Sequence, residues 1–588
     1  MTRKLMLGNE AVARGAFEAG VKVVSSYPGT PSTEITEAVA LSYPSISAEW
    51  AVNEKVGLEV AIGASIAGGR AMSCMKHVGM NVAADPLFTV SYTGVNGGLV
   101  IVVADDPGMH SSQNEQDSRN YALAAKMPML EPSDSQECKD YICKAFEISE
   151  RFDTPVIVRL TTRIAHGRTP VNESEPLPVR LKPYIKSINK YVMMPGMAIK
   201  RHPVVEARMK GISENSADEL LITEIIKSAK LGVITSGITY QYVMEALPEA
   251  SVLKLGVVWP LNKDVIKGFA SKMERVVILE ELDPFLETQI KAMGIHCEGK
   301  SLFSLTGEYS VPEIRSVLSN VGDPVKGIEV SGLDTALGRP PVMCAGCSHK
   351  GIFMALSRLK ATVTGDIGCY TLGALSPYDS MDACVCMGAS VGMAHGFDKA
   401  TDHALSANTV AVIGDSTFLH SGITSLINSV YNKSNSTIII LDNSITGMTG
   451  HQQNPGTGID IYGSPASSVN LPALCEAVGV KSIRIVDPAD IDVTQAVISD
   501  EMSRDGVSVI IAVRPCALIP QGKGESKAIV DHDKCIKCKV CLKSMCPAMS
   551  EGPSGEILID LTQCNGCSLC EKLCRFGAIK MGKPEGIR

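Results

Sequence analysis

The chain has 588 residues, of which 45% are hydrophobic and 5% aromatic, with 52 glycines and a formal net charge of −8. That length suits three or four domains with large buried cores, and a glycine-rich, aromatic-poor composition suits α/β domains with tight strand-to-helix turns. The mild, unclustered charge provides no electrostatic footprint for nucleic acid or a membrane surface, so neither partner is expected.

The opening stretch MTRKLMLGNEAVARG meets charge before a signal-peptide core could form, and apolar runs such as Leu99 to Val103 are too short to span a bilayer. A first α/β domain is expected over residues 1–170, where helical patterns alternate with the apolar runs Val21 to Ser25, Arg70 to Met75, Leu99 to Ala104 and Val156 to Leu160. After the first of these comes Tyr27, Pro28, Gly29, Thr30, Pro31, Ser32, a proline-fixed turn before a helix starting at Thr33 and Glu34. The hydroxyl of Thr30 and the free amides there suit an acid substrate. A second helical run, NEKVGLEVAIG, carries two carboxylates, Glu54 and Glu59.

Residues 171–335 are expected to hold a linker, marked by Pro176, Pro178, Pro183 and the basic run Lys200, Arg201, His202, and then a second α/β domain. Its strands are Leu231 to Ser236, Ser251 to Leu255 and Arg275 to Leu279, and its sparse site chemistry gives it a mainly architectural role. A third α/β domain, 336–522, has strands at Val410 to Ile413, Thr437 to Leu441 and Val507 to Val513.

In that domain one strand ends in Gly414, Asp415, Ser416 and another in Asp442, Asn443, with 27 residues between Asp415 and Asn443. Ligands collect at the carboxyl ends of strands in a doubly wound sheet, so Asp415 and Asn443 can meet at one cation, and hard oxygens suit Mg²⁺ on a diphosphate. A helix from about Ser421 would aim its amides at the phosphates. The spacing resembles the thiamine diphosphate signature GDG…NN, with Ser416 in place of a Gly and Asp442 in place of the first Asn. On that pattern the carbonyl of Ile445 is the third magnesium ligand. The alternative is a strand-end Asp that only caps a helix.

The last stretch, 523–588, carries Cys535, Cys538, Cys541 and Cys546, then Cys564, Cys567, Cys570 and Cys574. Two C-x2-C-x2-C runs, each with a following fourth Cys, match a bacterial ferredoxin with two 4Fe–4S clusters, whose fourth Cys usually ligates the other cluster. The expected sets are therefore Cys535, Cys538, Cys541 and Cys574 for one cluster, and Cys564, Cys567, Cys570 and Cys546 for the second. A zinc ribbon or a disulfide knot is the alternative. Nineteen cysteines without an export signal read as thiolate ligands and reduced thiols, and the expected compartment is cytoplasmic.

Thiamine diphosphate needs a carboxylate in apolar surroundings to exchange a proton with its pyrimidine N1′. Glu54 is the candidate and Glu59 the alternative. With YPGTPST, NEKVGLEVAIGAS, KHVGMNVAADP, GDIGCYTLG, GDSTFLHSG, LDNSITGMTGHQQNP and the cysteine module in this order, nearly the whole chain resembles the 2-oxoacid:ferredoxin oxidoreductases.

That resemblance implies thiamine-dependent oxidative decarboxylation of 2-oxo acids, aryl pyruvates such as indolepyruvate in the nearest type, with electrons passed to ferredoxin and the acyl group to coenzyme A. It implies a small β subunit as partner, in a heterodimer or its dimer. It maps a substrate-carboxylate contact to Thr30, a second substrate contact to Arg119 in QNEQDSRNYA, and the pyrimidine glutamate to Glu54; Lys76 and His77 are candidates for the substrate channel or for an ordinary loop role. Cys344, Cys347, Cys369 and Cys516 occupy motifs that hold a third cluster in pyruvate-specific relatives, the alternative being thiols packed as small apolar groups. Another 2-oxo acid, or non-oxidative thiamine chemistry, is the alternative function; the latter has no use for eight ferredoxin cysteines.

Overall fold

The runs LVIVVAD (Leu99–Asp105) and TVAVIG (Thr409–Gly414) are buried along their whole length, as central strands of parallel sheets covered on both faces must be. The computed structural model describes residues 3–178, 180–318, 341–519 and 526–583. It divides into two units, Met1–Leu333 and Asp334–Arg588. The expected boundaries at 335/336 and 522/523 lie outside the described residues, and that at 170/171 falls inside the strand Arg168–Asn172, which pairs antiparallel with Arg3–Leu7.

The first unit holds a seven-stranded sheet in the order Val257–Trp259, Met129–Leu130, Val156–Thr161, Leu99–Asp105, Ala71–Lys76, Val23–Ser26, Ser47–Trp50. All neighbours are parallel except the first pair. The edge strand Val257–Trp259 comes from the region read as a separate, architectural domain. That region's own sheet has four strands, Val276–Leu279, Gly232–Thr235, Ser251–Leu255 and Ile222–Ile225.

Where a linker is expected, a 21-residue helix, Pro195–Asn215, runs with Pro203 inside it. Its signal is weak in sequence because a mid-helix proline normally breaks the pattern. Tertiary contacts hold it: Val205, Met209 and Ile212 are buried, and Arg201 and Arg208 both reach Asp153 Oδ2, at 3.1 and 2.7 Å. Among the described residues no helix is long and apolar enough to cross a membrane.

The second unit holds a fully parallel six-stranded sheet in the order Ala383–Cys384, Thr362–Gly365, Thr409–Gly414, Thr437–Asp442, Ser508–Val513, Ser482–Val486. Two short antiparallel ribbons follow, Lys527–Val530 with Ile579–Gly582 and Met549–Glu551 with Ile557–Ile559. A small apolar core of Ala528, Ile557 and Ile579 packs with Cys541 between them. The helix after Gly414 starts at Asp415, six residues ahead of the expected Ser421, and passes through a π turn at Phe418–Gly422 before continuing as Ile423–Tyr431. The sequence places that start late because STFLHSG lacks a clear amphipathic period, and single π turns of this kind are frequent at functional sites.

Candidate cofactor, substrate and cluster sites

In the first unit three strand ends build one polar cluster. The strand Val23–Ser26 delivers the turn with Thr30, Ala71–Lys76 ends on Lys76 and His77, and Leu99–Asp105 is followed by Asp106 and the loop with Ser111 and Ser112. Ser111 Oγ donates to Thr30 O at 3.3 Å, and Lys76 Nζ donates to Ser111 O at 2.9 Å. Asp106 accepts from Ser111 N at 2.8 Å, Ser112 Oγ at 2.7 Å and Thr162 Oγ1 at 2.7 Å. These donors hold its carboxyl below the ordinary range despite burial. Burial pulls the Lys76 ammonium below its usual value, opposed by the charges of Asp106 and Glu54. Thr30, Lys76 and Glu54 therefore share one neighbourhood. The roles of Asp106, Ser111 and Ser112 escape the sequence reading, although the strand-end rule applied to Leu99–Asp105 points at Asp106.

Glu54 opens the helix Glu54–Ile66, capped by Asn53, whose side chain accepts from Val56 N at 2.9 Å. The carboxyl is 4% exposed and lies flat on Gly79, where an added Cβ would stand 2.6 Å from Oε1. Glu59, five residues on, is 45% exposed and ion-paired to Lys55. A desolvated carboxylate is what proton exchange with a ring nitrogen requires, and of the two helix glutamates Glu54 alone is desolvated. His77 is fully buried, with Nε2 3.2 Å from Ser112 Oγ and no partner for Nδ1 among the described residues. Burial holds its ring below the usual histidine range, favouring the neutral form.

The structure places Arg119 in a buried network of ion pairs. Its side chain is 1% exposed and every nitrogen is engaged: Nε with Asp117 Oδ1 at 2.9 Å, Nη1 with Glu280 Oε2 at 2.6 Å, Nη2 with Asp117 Oδ2 at 2.5 Å and with the carbonyls of Glu281 and Asp283 at 2.9 and 3.2 Å. Phe285 lies under the guanidinium at 5.3 Å. The neighbouring Arg159 joins Asp105 and Glu131 at 2.6 and 2.5 Å. Burial raises the carboxyl of Asp117, but the charges of Arg119 and Arg159 outweigh it and hold it below the ordinary range. Arg119 thus ties its own helix to the segment 280–285, with its charge already matched by Asp117 and Glu280.

In the second unit, the register Gly414↔Leu441 brings Asp415 and Asn443 onto adjacent strand ends. Ser444 takes a left-handed backbone (φ 57°), which folds the chain back behind Asn443. The Asn443 amide group then lies 3.1 Å from Asp415 Oδ1 and 2.8 Å from Ile445 O, and with its nitrogen turned toward them it donates to both. Turned the other way, the amide oxygen would join those two oxygens as a third ligand for a cation. Edges of an octahedron with ~2.1 Å Mg–O bonds are about 3 Å, so this spacing fits magnesium. Asp415 Oδ2 is buried without a hydrogen-bond partner among the described residues. Burial first, and the nearby Asp442 charge second, push the Asp415 carboxyl up to about 7. Such a group gains most from a divalent partner.

The cysteines fall into two groups in space. One cavity is lined by Cys535, Cys538, Cys541 and Cys574, another by Cys546, Cys564, Cys567 and Cys570. Backbone amides point at the sulfurs: Ala528 N lies 3.5 Å from Cys564 Sγ and Ala578 N 3.3 Å from Cys574 Sγ. Cys344, Cys347, Cys369 and Cys516 also share a neighbourhood. The charge of Cys369 is felt by Cys347, and Cys369 itself feels Cys516 and Cys344. Cys516 N donates to Asn443 O at 2.9 Å, and Gly447 approaches the Cys369 sulfur, so these thiols adjoin the Asn443 loop.

Residues 14–217 match the family of pyruvate flavodoxin/ferredoxin oxidoreductase thiamine diphosphate-binding domains, and residues 366–512 match the thiamine pyrophosphate enzyme C-terminal TPP-binding domain. The indolepyruvate oxidoreductase subunit IorA of Archaeoglobus fulgidus is 39% identical, over 99% of this chain and 98% of its own. The chain belongs to the IorA family of indolepyruvate oxidoreductases. Members from Pyrococcus horikoshii and Methanothermobacter marburgensis are 39% and 38% identical, covering 98% and 100% of this chain and 96% and 98% of their own. A solved 2-oxoglutarate:ferredoxin oxidoreductase from Magnetococcus marinus, 18% identical, overlays 53% of this IorA-family chain and 64% of its own at a TM-score of 0.46, too loose a likeness to argue from.

Proposed function

We propose that this chain is the thiamine-diphosphate- and cluster-carrying subunit of an enzyme that oxidatively decarboxylates aryl pyruvates to aryl-acetyl-coenzyme A and CO₂. The observation that carries the reading is the grouping of the Asp415 carboxylate, the Asn443 amide and the Ile445 carbonyl at adjacent strand ends, beside Cys369 and Cys516, in the unit whose two cavities are each lined by four cysteines. When bound, thiamine diphosphate supplies the nucleophilic carbon and the electron sink for loss of CO₂, and 4Fe–4S clusters accept the electrons one at a time.

The chain's own residues do the rest. Asp415, Asn443 and the Ile445 carbonyl would hold Mg²⁺ for the diphosphate, and the first turn after Gly414 would present amides to it. Glu54, desolvated over Gly79, exchanges a proton with the pyrimidine N1′. Lys76 Nζ and the Thr30 hydroxyl orient the substrate carboxylate, with Asp106 fixing the loop that carries Ser111. Amides donating to cysteine sulfurs stabilise electron-rich clusters and set their potentials. Cys344, Cys347, Cys369 and Cys516 would hold a further cluster, which would supply a one-electron acceptor near the Asn443 loop. A small β subunit completes the enzyme, ferredoxin takes the electrons and coenzyme A the acyl group.

The test is an anaerobic assay with a panel of 2-oxo acids, coenzyme A and ferredoxin, the β subunit supplied. Ferredoxin reduction should be fastest with indolepyruvate and other aryl pyruvates. Preference for pyruvate or 2-oxoglutarate would overturn the substrate class, and no reduction with any 2-oxo acid would overturn the reaction.

A further inference from the structure

Lys350 is fully buried, yet it forms no ion pair with a carboxylate among the described residues. It stands first in the helix Lys350–Leu359, where the helix dipole disfavours a cation. Its Nζ donates to Met545 O at 3.0 Å, directly before Cys546. Its backbone N–H donates to Cys347 O at 3.4 Å, in the C-x2-C pair of the third set, while Cys546, next to Met545, lines the second cavity. A buried ammonium without an anion is costly, and clusters bound by these cysteines would supply the counter-charge.

We propose that Lys350 is a positioning cation between the third cluster and the cluster of Cys546, Cys564, Cys567 and Cys570, raising the reduction potential of both and easing electron passage from the first to the second. In that passage one cluster is oxidised by one electron and its neighbour reduced by it, with no bond broken. Because Lys350 is desolvated, its field is not screened as a surface lysine's would be. The inference rests on the three-cluster reading above.

The experiment is an anaerobic redox titration of the holoenzyme with its β subunit, followed by electron paramagnetic resonance, on wild type, Lys350→Gln and Lys350→Arg. Gln keeps a donor for Met545 O but no charge. It should shift the reduction equilibrium of both flanking clusters at least tenfold toward the oxidised form, about 59 mV for one electron. The cluster of Cys535, Cys538, Cys541 and Cys574 should move less than twofold, and Arg should leave all three within threefold of wild type. If Gln also loses iron, full iron and wild-type equilibria in Arg still support the charge, whereas iron loss in both variants overturns it. Unchanged equilibria in Gln with full iron, or an equal shift at all three clusters, overturn the proposal and leave the function standing. A wild-type enzyme with two clusters removes one end of the bridge and overturns it together with the third-cluster reading.

Discussion

Replacing Arg119 by Met separates a structural cation from a substrate-binding one. The guanidinium neutralises Asp117 and Glu280, both buried, and satisfies two carbonyls besides. Removing one partner of a buried ion pair strands the other charge and costs about 3–5 kcal/mol. Arg159 stays 3.9 Å from Asp117 and compensates part of its charge, while Glu280 keeps the amides of Leu286 and Glu287 and the nearby charge of Lys300. For a unit spanning Met1–Leu333, an unfolding entropy of ~2.1 cal/mol/K per residue amounts to ~0.7 kcal/mol/K, so the first thermal transition should fall by about 4–7 °C. Adding Glu280→Gln to Arg119→Met removes the stranded carboxylate and should restore part of the loss, a coupling that independent sites would not show. The assay is differential scanning calorimetry beside steady-state kinetics, with KM for the 2-oxo acid near wild type in the folded variant. An unshifted transition together with a KM raised tenfold or more would refute the structural role and return Arg119 to the substrate.

Glu54→Gln should fold and bind thiamine diphosphate yet lose turnover by about 10²–10⁴-fold, as loss of a proton-exchanging group does, whereas Glu59→Gln should run at the wild-type rate; kcat measured at saturating cofactor separates them. Gly79→Ala should mimic Glu54→Gln in rate, since its methyl would stand 2.6 Å from Glu54 Oε1 and push the carboxyl aside; wild-type kcat would contradict the packing. Asp415→Ala, or chelation of the native enzyme, should release thiamine diphosphate while iron content is unchanged, read by cofactor fluorescence and iron analysis on the same sample. Cys546→Ser should abolish the cluster shared with Cys564, Cys567 and Cys570 and spare the one held by Cys535, Cys538 and Cys541; loss of the latter instead would reverse the crossed assignment.

Local chemistry was legible in the linear chain wherever it is written in adjacent residues. The strands Leu99–Asp105, Thr409–Gly414 and Thr437–Asp442 announce themselves as unbroken aliphatic runs, and the cysteine spacing singles out the eight thiols that line the two cavities. The Asp415 and Asn443 pairing follows from strand ends, because a parallel sheet puts consecutive βα turns at one edge. The sequence puts Glu54 ahead of Glu59 as the candidate, and the tertiary structure adds that Glu54 is buried against Gly79 while Glu59 is exposed, a difference that depends on a neighbouring strand end and not on helical period. It alone showed that Arg119 is paired with Glu280, 161 residues away in sequence, and that Lys350 donates to Met545 O, 195 residues away. Such pairings are set by desolvation and charge compensation between remote segments, and no window of neighbouring residues records them.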